Sequence, residues 1–420
     1  MRICLLNDSF PPNIDGVSNT IFNYATILNE RYGDVIVATP RYPGAKDHYP
    51  FDVVRLPSID TSKLIGYRAG NPFSRRALEK LVSFQPDIIH SHCPFISTVL
   101  ARELRELTGA PIILTYHTKF DQDIGRAVRI KPVQDAVISG MLINIAACDE
   151  VWACNRGAGE NLKELGYGGE YFVMPNGVDI DRTPVPPEEL AALDAQYGLS
   201  PDVPLFLFIG RIMWYKGIRI ILDSLRTLKN EGRAFRMVFV GDGLCYDEVV
   251  AYARTCGLEE ECIFTGAILD RKILKLWYSR ADLFLLPSVY DNNPLVVKEA
   301  AACATASVLL RGSSSAEGVI DGVNGLLTEN GAGAYADGIR AVIDDRSRMR
   351  KLGENAARDL YVSWDDSVAN AFARYCEFLA KRAPVKPLSR MEPIRVVSNL
   401  YRVSETGKNL GQKLIAPLKK

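Results

Sequence analysis

Long apolar runs are what this chain most plainly lacks. No stretch of its 420 residues reaches the roughly 18 to 20 apolar positions a membrane-spanning helix needs, and the opening "MRICLLNDSFPP" is too briefly apolar for a signal peptide. The expectation is a cytoplasmic protein. Histidine is scarce: His48, His90, His92 and His117 are the four, too dispersed for a metal cluster. His90 and His92 alternate at a strand end, a spacing that suits a metal, yet no third ligand suggests itself. The nine cysteines stand singly with no C-x-x-C pair, so they read as reduced thiols rather than disulfides or a zinc site. The "GDG" at 241–243 lacks the third glycine of a dinucleotide fingerprint, and no strong Walker lysine pattern occurs. The D-x-D pairs Asp121/Asp123 and Asp179/Asp181 have no neighbouring ligands to support a metal-dependent role. No metal, cofactor or nucleic-acid partner is expected.

What is present is an ordinary globular composition, 47% hydrophobic and 24% charged, in a chain long enough for two domains with a core each. Net charge is zero, yet residues 381–420 hold ten Lys/Arg against two Glu, so basic charge gathers in the tail. Such a tail either seeks an anionic membrane surface or is a solvated end. Strands alternate with helical stretches: "RICLLN", "DVIVATP", "DIIHSH", "PIILTYH", "EVWACN" and "YFVMPNGVD" mark a first series. "PLFLFIGR", "FRMVFVGDG", "CIFTGAI", "DLFLLPS" and "ASVLLRG" mark a second. This alternation predicts an α/β protein with two doubly wound parallel sheets. The intervening "NGVDIDRTPVPPEELAALDAQYGLSPDVP" is rich in proline and acids, as a linker with a surface helix would be. A cleft between two such domains is a natural ligand site.

The segment "YDNNPLVVKEA", residues 290–300, sets Asp291 and Glu299 eight positions apart, just after the buried-strand run "ADLFLLPS". Asn293 before Pro294 predicts a helix starting at Pro294 with Asn293 as its cap. An anion docks at such a helix N-terminus, on the amides of Leu295 and Val296. The two carboxylates would then accept hydroxyls beside a phosphate, which points to a sugar nucleotide; the bland alternative is one loop acid and one acid on a solvated helix face. "FIGRIMWYKGI" presents Arg211 and Lys216 from the end of another strand, a fork and a point charge for phosphate oxygens. "NDSFPPNIDGVSNTI" links strand to helix through Gly16, which either admits a phosphate or sugar to the backbone or serves as a turn glycine. His117 in "LTYHTKF" is either a core histidine or a hydrogen-bonding partner for a sugar hydroxyl.

Together the segments "PPNIDGVS", "DIIHSHCP", "TYHT", "MPNGVD", "GRIMWYKG", "VGDG", "FTGAI", "ADLFLLPSVYDNNPLVVKEAAAC" and "SSSAEGVIDGVNGLL" resemble the family-four retaining glycosyltransferases, over residues 1 to about 380. The resemblance implies the GT-B fold, two facing Rossmann-like domains with an interdomain cleft. Residues 1–183 would form the acceptor-side domain, 184–202 a linker and 203–362 the donor-nucleotide domain; 363–382 would be a helix crossing back to the first domain and 383–420 a basic tail. It implies that Asp291 and Glu299 occupy the family's E-x7-E positions, Glu299 holding the nucleotide ribose and Asp291 the transferred sugar or its phosphate side. Arg211, Lys216, Asp291 and His117 are implied as catalytic. Glu299, Gly16, Asn293, Leu295, Val296, Gly243 and Gly210 are implied as donor-binding, and Asp15 and Asn176 as acceptor-side. The implied reaction retains anomeric configuration without a metal, by a front-face displacement in which the leaving diphosphate takes the acceptor proton. Asp in place of the usual first Glu, Asn-Asn-Pro in place of Gly-Phe-Gly, Asp15, and "SSSAEG" depart from the family pattern. They bear on the donor sugar more than on the reaction class.

The expected activity is transfer of a hexose from a nucleotide-diphosphate sugar, UDP-sugar favoured, to a membrane lipid or a lipid-linked or cell-envelope glycan. Lys119, Arg126, Arg129 and Lys131 lie beside an apolar helix, and the tail spaces Ile394, Val397 and Tyr401 at helical intervals with Arg395 and Arg402. Both patterns suit an anionic membrane surface, at the inner face of the plasma membrane, and both equally suit an ordinary solvated face. Two other readings stand beside this one: a sugar-nucleotide epimerase on the same fold, and a catalytically silent sugar-nucleotide-binding subunit.

Overall fold

The run "RICLL" forms β1, Arg2–Leu6, buried at every position after the first, as a central parallel strand covered on both faces must be. The computed structural model describes residues 1–13, 15–62, 68–180, 182–291 and 293–382, apart from the side chains at 122, 123, 126 and 127. Asp123, Arg126, Asp181, Asn292 and the basic tail from 383 onward therefore lie wholly or in their side chains outside the described residues. The chain divides into two units. One comprises Met1–Cys154, Gly159–Met174 and the chain from Val368; the other comprises Asn155–Ala158 and Pro175–Ser367.

In the first unit β1 is followed by β2 (Asp34–Pro40), β3 (Asp52–Leu56), a small antiparallel pair β4 (Ser58–Ile59) and β5 (Ala69–Gly70), then β6 (Ile88–Ser91), β7 (Ile112–Tyr116), β8 (Glu150–Ala153) and β9 (Phe172–Val173). Seven of these make one parallel sheet in the order β3-β2-β1-β6-β7-β8-β9. The second unit has β10 (Leu205–Ile209), β11 (Arg236–Val240), β12 (Cys262–Gly266), β13 (Leu283–Leu286), β14 (Ala306–Leu310) and β15 (Leu326–Thr328). They form a parallel sheet in the order β12-β11-β10-β13-β14-β15. Both sheets are doubly wound: order reverses between β1 and β6 in one and between β10 and β13 in the other.

The strands the sequence did not announce are the amphipathic or short ones. β3, "DVVRL", has one exposed position and then alternates half-buried and buried ones at the sheet edge, and β15 has three residues. "YFVMPNGVD" yields only the exposed pair Phe172–Val173. The apolar runs pack as expected: Phe206, Phe208, Phe239 and Phe284 are fully buried in the second core, each contributing about 1.5–3 kcal/mol. The segment read as a linker holds a helix, Pro187–Tyr197, tied to the second unit by Arg280, whose Nε lies 2.6 Å from Asp194 Oδ1 and whose Nη2 donates to Ser200 O at 3.0 Å. The last helix, Trp364–Lys381, anchors in the first unit through Arg374, which grips both oxygens of buried Glu150 at 2.9 and 2.6 Å. All nine cysteines are free thiols, and among the described residues no helix is long and apolar enough to cross a membrane.

Candidate functional site

A parallel sheet whose order reverses leaves a crevice outside the carboxyl ends of the two central strands. In the second unit that point lies past β10 and β13. β10 ends at Ile209; the next amide, of Gly210, donates to Val240 O at 3.0 Å, and Ile212 N donates to Asp242 O at 2.9 Å. A Cβ on Gly243 would lie 2.4 Å from Ile212 O, so the two loops pack backbone on backbone and Gly243 has a structural task there. Arg211, between them, is exposed and makes no ion pair among the described residues. A short turn, Trp214–Lys216, follows, and Gly217 closes it at φ +80° with its α-carbon so near β13 that a Cβ would meet Pro287 O at 2.1 Å. No other residue type tolerates both constraints. This docking carries Lys216 to Asp291: its ammonium forms an ion pair with Oδ1, each side chain 15% exposed. Ser315 from the "SSSAEG" loop donates to Asp291 O at 3.1 Å, and Oδ2 of Asp291 is buried with no partner among the described residues.

The helix that follows runs Leu295–Ala302, one residue later than predicted, because Pro294 is extended (φ −68°, ψ 112°) and is itself the cap position. Asn293 therefore sits one place before the cap, half-buried. The amides of Leu295 and Val296 donate to nothing among the described residues, as the first turn of a helix without a side-chain cap leaves them. Glu299, on this helix, is buried at 7% exposure and not on a solvated face. Arg271 Nη2 donates to its Oε1 at 2.7 Å and the Tyr278 hydroxyl to its Oε2 at 2.8 Å. Burial, then the Glu299 charge, push the Tyr278 phenol well up, so it stays a donor. Each carboxylate oxygen keeps a second lone pair for a hydroxyl. Asn176, assigned to the acceptor side, lies in the second unit, where its carbonyl accepts Lys298 Nζ from the same helix at 2.8 Å and its Oδ1 is buried with no partner among the described residues.

The first unit repeats the arrangement past β1, β6 and β7. Asp15 caps the helix Gly16–Arg31, its Oδ1 accepting Val17 N at 2.9 Å and Ser18 N at 2.8 Å, while Oδ2 accepts Ser9 Oγ and Asn13 Nδ2. Its carboxylate is thus committed to the loop and the helix. A Cβ on Gly16 would meet nothing within 4 Å, so the protein leaves open space over that backbone. Asp8, buried, caps a second helix from outside it: Oδ1 accepts Ser97 N at 2.9 Å and Ser97 Oγ at 2.5 Å at the start of Ile96–Thr108. His117, 8% exposed past β7, faces His92 with Nε2 at 2.9 Å from its Nδ1, and burial pushes its pKa down to about 3.

Two family descriptions divide the chain along similar lines. Glycosyltransferase Family 4 matches residues 14–182 and Glycosyl transferases group 1 matches residues 191–359. D-inositol 3-phosphate glycosyltransferase of Xylanimonas cellulosilytica is 30% identical over 71% of this chain and 74% of its own length. The chain belongs to the family-four, group 1 glycosyltransferases. Another relative of this glycosyltransferase is alpha-monoglucosyldiacylglycerol synthase of Streptococcus pneumoniae, 25% identical over 73% of the chain and 70% of that protein. Anabaena HepE in complex with UDP has the same fold, with a TM-score of 0.70 at 19% identity over 91% of this chain and all of its own. The fold is GT-B. Within this glycosyltransferase Arg211, Lys216, Asp291, Asn293, Leu295, Val296, Glu299, Gly210, Gly243 and Asn176 belong to the second unit, and Asp15, Gly16 and His117 to the first. The residues missed were Asp8, His92, Arg271 and Tyr278. Arg271 carried a signal: a cation at the first position of the helix Arg271–Arg280 opposes the helix dipole and needs an acid nearby.

Proposed function

We propose that this glycosyltransferase moves a hexose from a UDP-sugar to a membrane lipid or lipid-linked glycan, with retention of configuration and no metal. One observation carries the reading: Arg211 and the Leu295 and Val296 amides, none of them paired among the described residues, and the Lys216–Asp291 ion pair converge on the switch point of the second sheet, one helical turn from buried Glu299. That set matches a diphosphate flanked by hydroxyls. Arg211, Lys216 and the amides would take the diphosphate charge, Glu299 the ribose and Asp291 a hydroxyl of the transferred sugar; His117, in the first unit, is read by itself as a hydrogen-bonding partner for a sugar hydroxyl. Lys216 has three protons, so it can serve Asp291 and a phosphate oxygen together. The rate then rests on these fixed charges stabilising the leaving diphosphate, which accepts the acceptor proton.

UDP is favoured because HepE, a neighbour in fold, binds it. The lipid acceptor is favoured by the diacylglycerol-related relative and by the helix Lys131–Ala146 with its approach. There Ile130, Val133 and Ile143 are 63%, 44% and 62% exposed beside exposed Arg129 and Lys131. Apolar and basic groups together fit the surface of an anionic bilayer. Incubation with UDP-glucose and vesicles containing diacylglycerol or glycosyl-diacylglycerol, followed by mass spectrometry of the lipids, tests it. A hexose-mass increment on the lipid is expected; sugar released only as free hexose with every lipid would overturn the acceptor assignment.

A further inference from the structure

Three of the four histidines stack inside the first unit. His90 and His92 alternate along and just beyond β6, so they share a face, and His117 leaves the neighbouring strand β7 beside them. The His90 and His92 ring centroids are 3.9 Å apart; those of His92 and His117 are 5.2 Å apart, 15° from parallel. His90 is held at both nitrogens: Nδ1 lies 2.5 Å from the Tyr375 hydroxyl of the last helix, and Nε2 lies 2.7 Å from Thr115 Oγ1. Tyr24 packs edge-on against both His90 and His92. His92 therefore sits on a fixed platform, its Nδ1 against His117 Nε2 and its Nε2 buried with no partner among the described residues.

Burial pushes all three rings down from the ordinary histidine range, so each is neutral at physiological pH and has one donor and one acceptor nitrogen. The His92–His117 bond can then be made in two ways. If His117 donated, His92 would carry its proton on Nε2, a buried N–H with nothing to receive it. If His92 donates from Nδ1, only a lone pair goes unfilled, and stranded N–H groups are the rarer and costlier case.

We propose that His92 is a positioning residue that fixes His117 in the tautomer with its proton on Nδ1, so that His117 meets its ligand as a hydrogen-bond donor. The ligand atom it serves is an oxygen lone pair, as on a sugar hydroxyl, and this consequence rests on the reading of His117 as a partner of such a hydroxyl. The platform of His90, Thr115 and Tyr375 keeps the donor aimed.

The test is a long-range proton–nitrogen spectrum of the full-length 15N-labelled protein, which distinguishes Nδ1–H from Nε2–H imidazoles, with His117→Gln assigning the signal. Wild type is expected to show His117 protonated on Nδ1. His92→Asn, whose amide N–H can replace the donor, is expected to keep it; His92→Asp, whose carboxylate only accepts, is expected to switch it to Nε2. Turnover should fall roughly ten- to a hundredfold in His92→Asp, by analogy with outer-shell partners of metal ligands, and stay near wild type in His92→Asn. The thermal shift caused by UDP should stay unchanged in both. A wild-type spectrum with the proton on Nε2 overturns the proposal even if His92→Asp fails to fold, and so does an unchanged tautomer in a folded His92→Asp. Should the tautomers behave as stated while His117→Ala keeps full turnover, the sugar contact fails and the positioning by His92 stands.

Discussion

A lysine that must stabilise a leaving diphosphate has to be delivered to one place without being free to wander. Lys216 meets that need through an ion pair with Asp291, both side chains mostly shielded from water. Because the shielded pair lies at a sheet's carboxyl edge beside helix amides that are unpaired among the described residues, its ammonium acts as a preorganised donor rather than as a surface charge. Lys216→Ala is expected to lower turnover on the order of a hundredfold or more, with the fold intact. Wild-type turnover in a well-folded Lys216→Ala would remove it from the chemistry. Lys216, Asp291 and Glu299 were legible in the sequence because motif spacing places them past strand ends. Tyr278 was not, and Arg271 signalled only the need for some acid, since their partner Glu299 is 21 and 28 residues away and reaches them only in the folded helix packing.

At the scale of elements, the donor side depends on loops that touch through backbone. Gly217 is the tightest example, with a left-handed φ of +80° and 2.1 Å between a hypothetical Cβ and Pro287 O. Gly217→Ala therefore strains the turn and pushes it off β13, an expected loss of roughly 2–4 kcal/mol with weakened nucleotide binding, read from thermal unfolding with and without UDP. An unchanged melting midpoint would contradict this account of the loop. The apolar runs announced the interior strands of both sheets because a parallel strand covered on both faces is apolar throughout. The edge strand β3 escaped notice because it need not be, and β15 because it is only three residues long. The helix start was misplaced by one residue because a proline suits both the cap and the first helical position. The pairing of His92 with His117 was invisible for a different reason: it joins neighbouring strands 25 residues apart, and only sheet order makes them adjacent.

For the whole molecule, three buried neutral histidines set a pH dependence. Their folded pKa values lie below the unfolded value, that of His117 at about 3. Below the ordinary histidine pKa the unfolded chain binds protons that the folded chain refuses, so the stability present above about pH 6.5 is lost as pH falls toward those lower values. Each histidine should contribute about 1.4 kcal/mol per pH unit once the unfolded ring is fully protonated. The melting midpoint is expected to drop between pH 6.5 and 5, the three histidines outweighing the opposite effect of Asp8 and Glu103, whose carboxyls burial raises; a flat midpoint across that window would contradict the buried stack.

The central claim is that the second unit holds a nucleotide-diphosphate sugar at its switch point. Its most direct test is calorimetric titration of the protein and of Lys216→Ala with UDP-, GDP- and ADP-sugars. Binding of a UDP-sugar by the wild type, weakened at least tenfold in the variant, is the expected result; no binding of any of them, or equal binding by both proteins, would contradict the account.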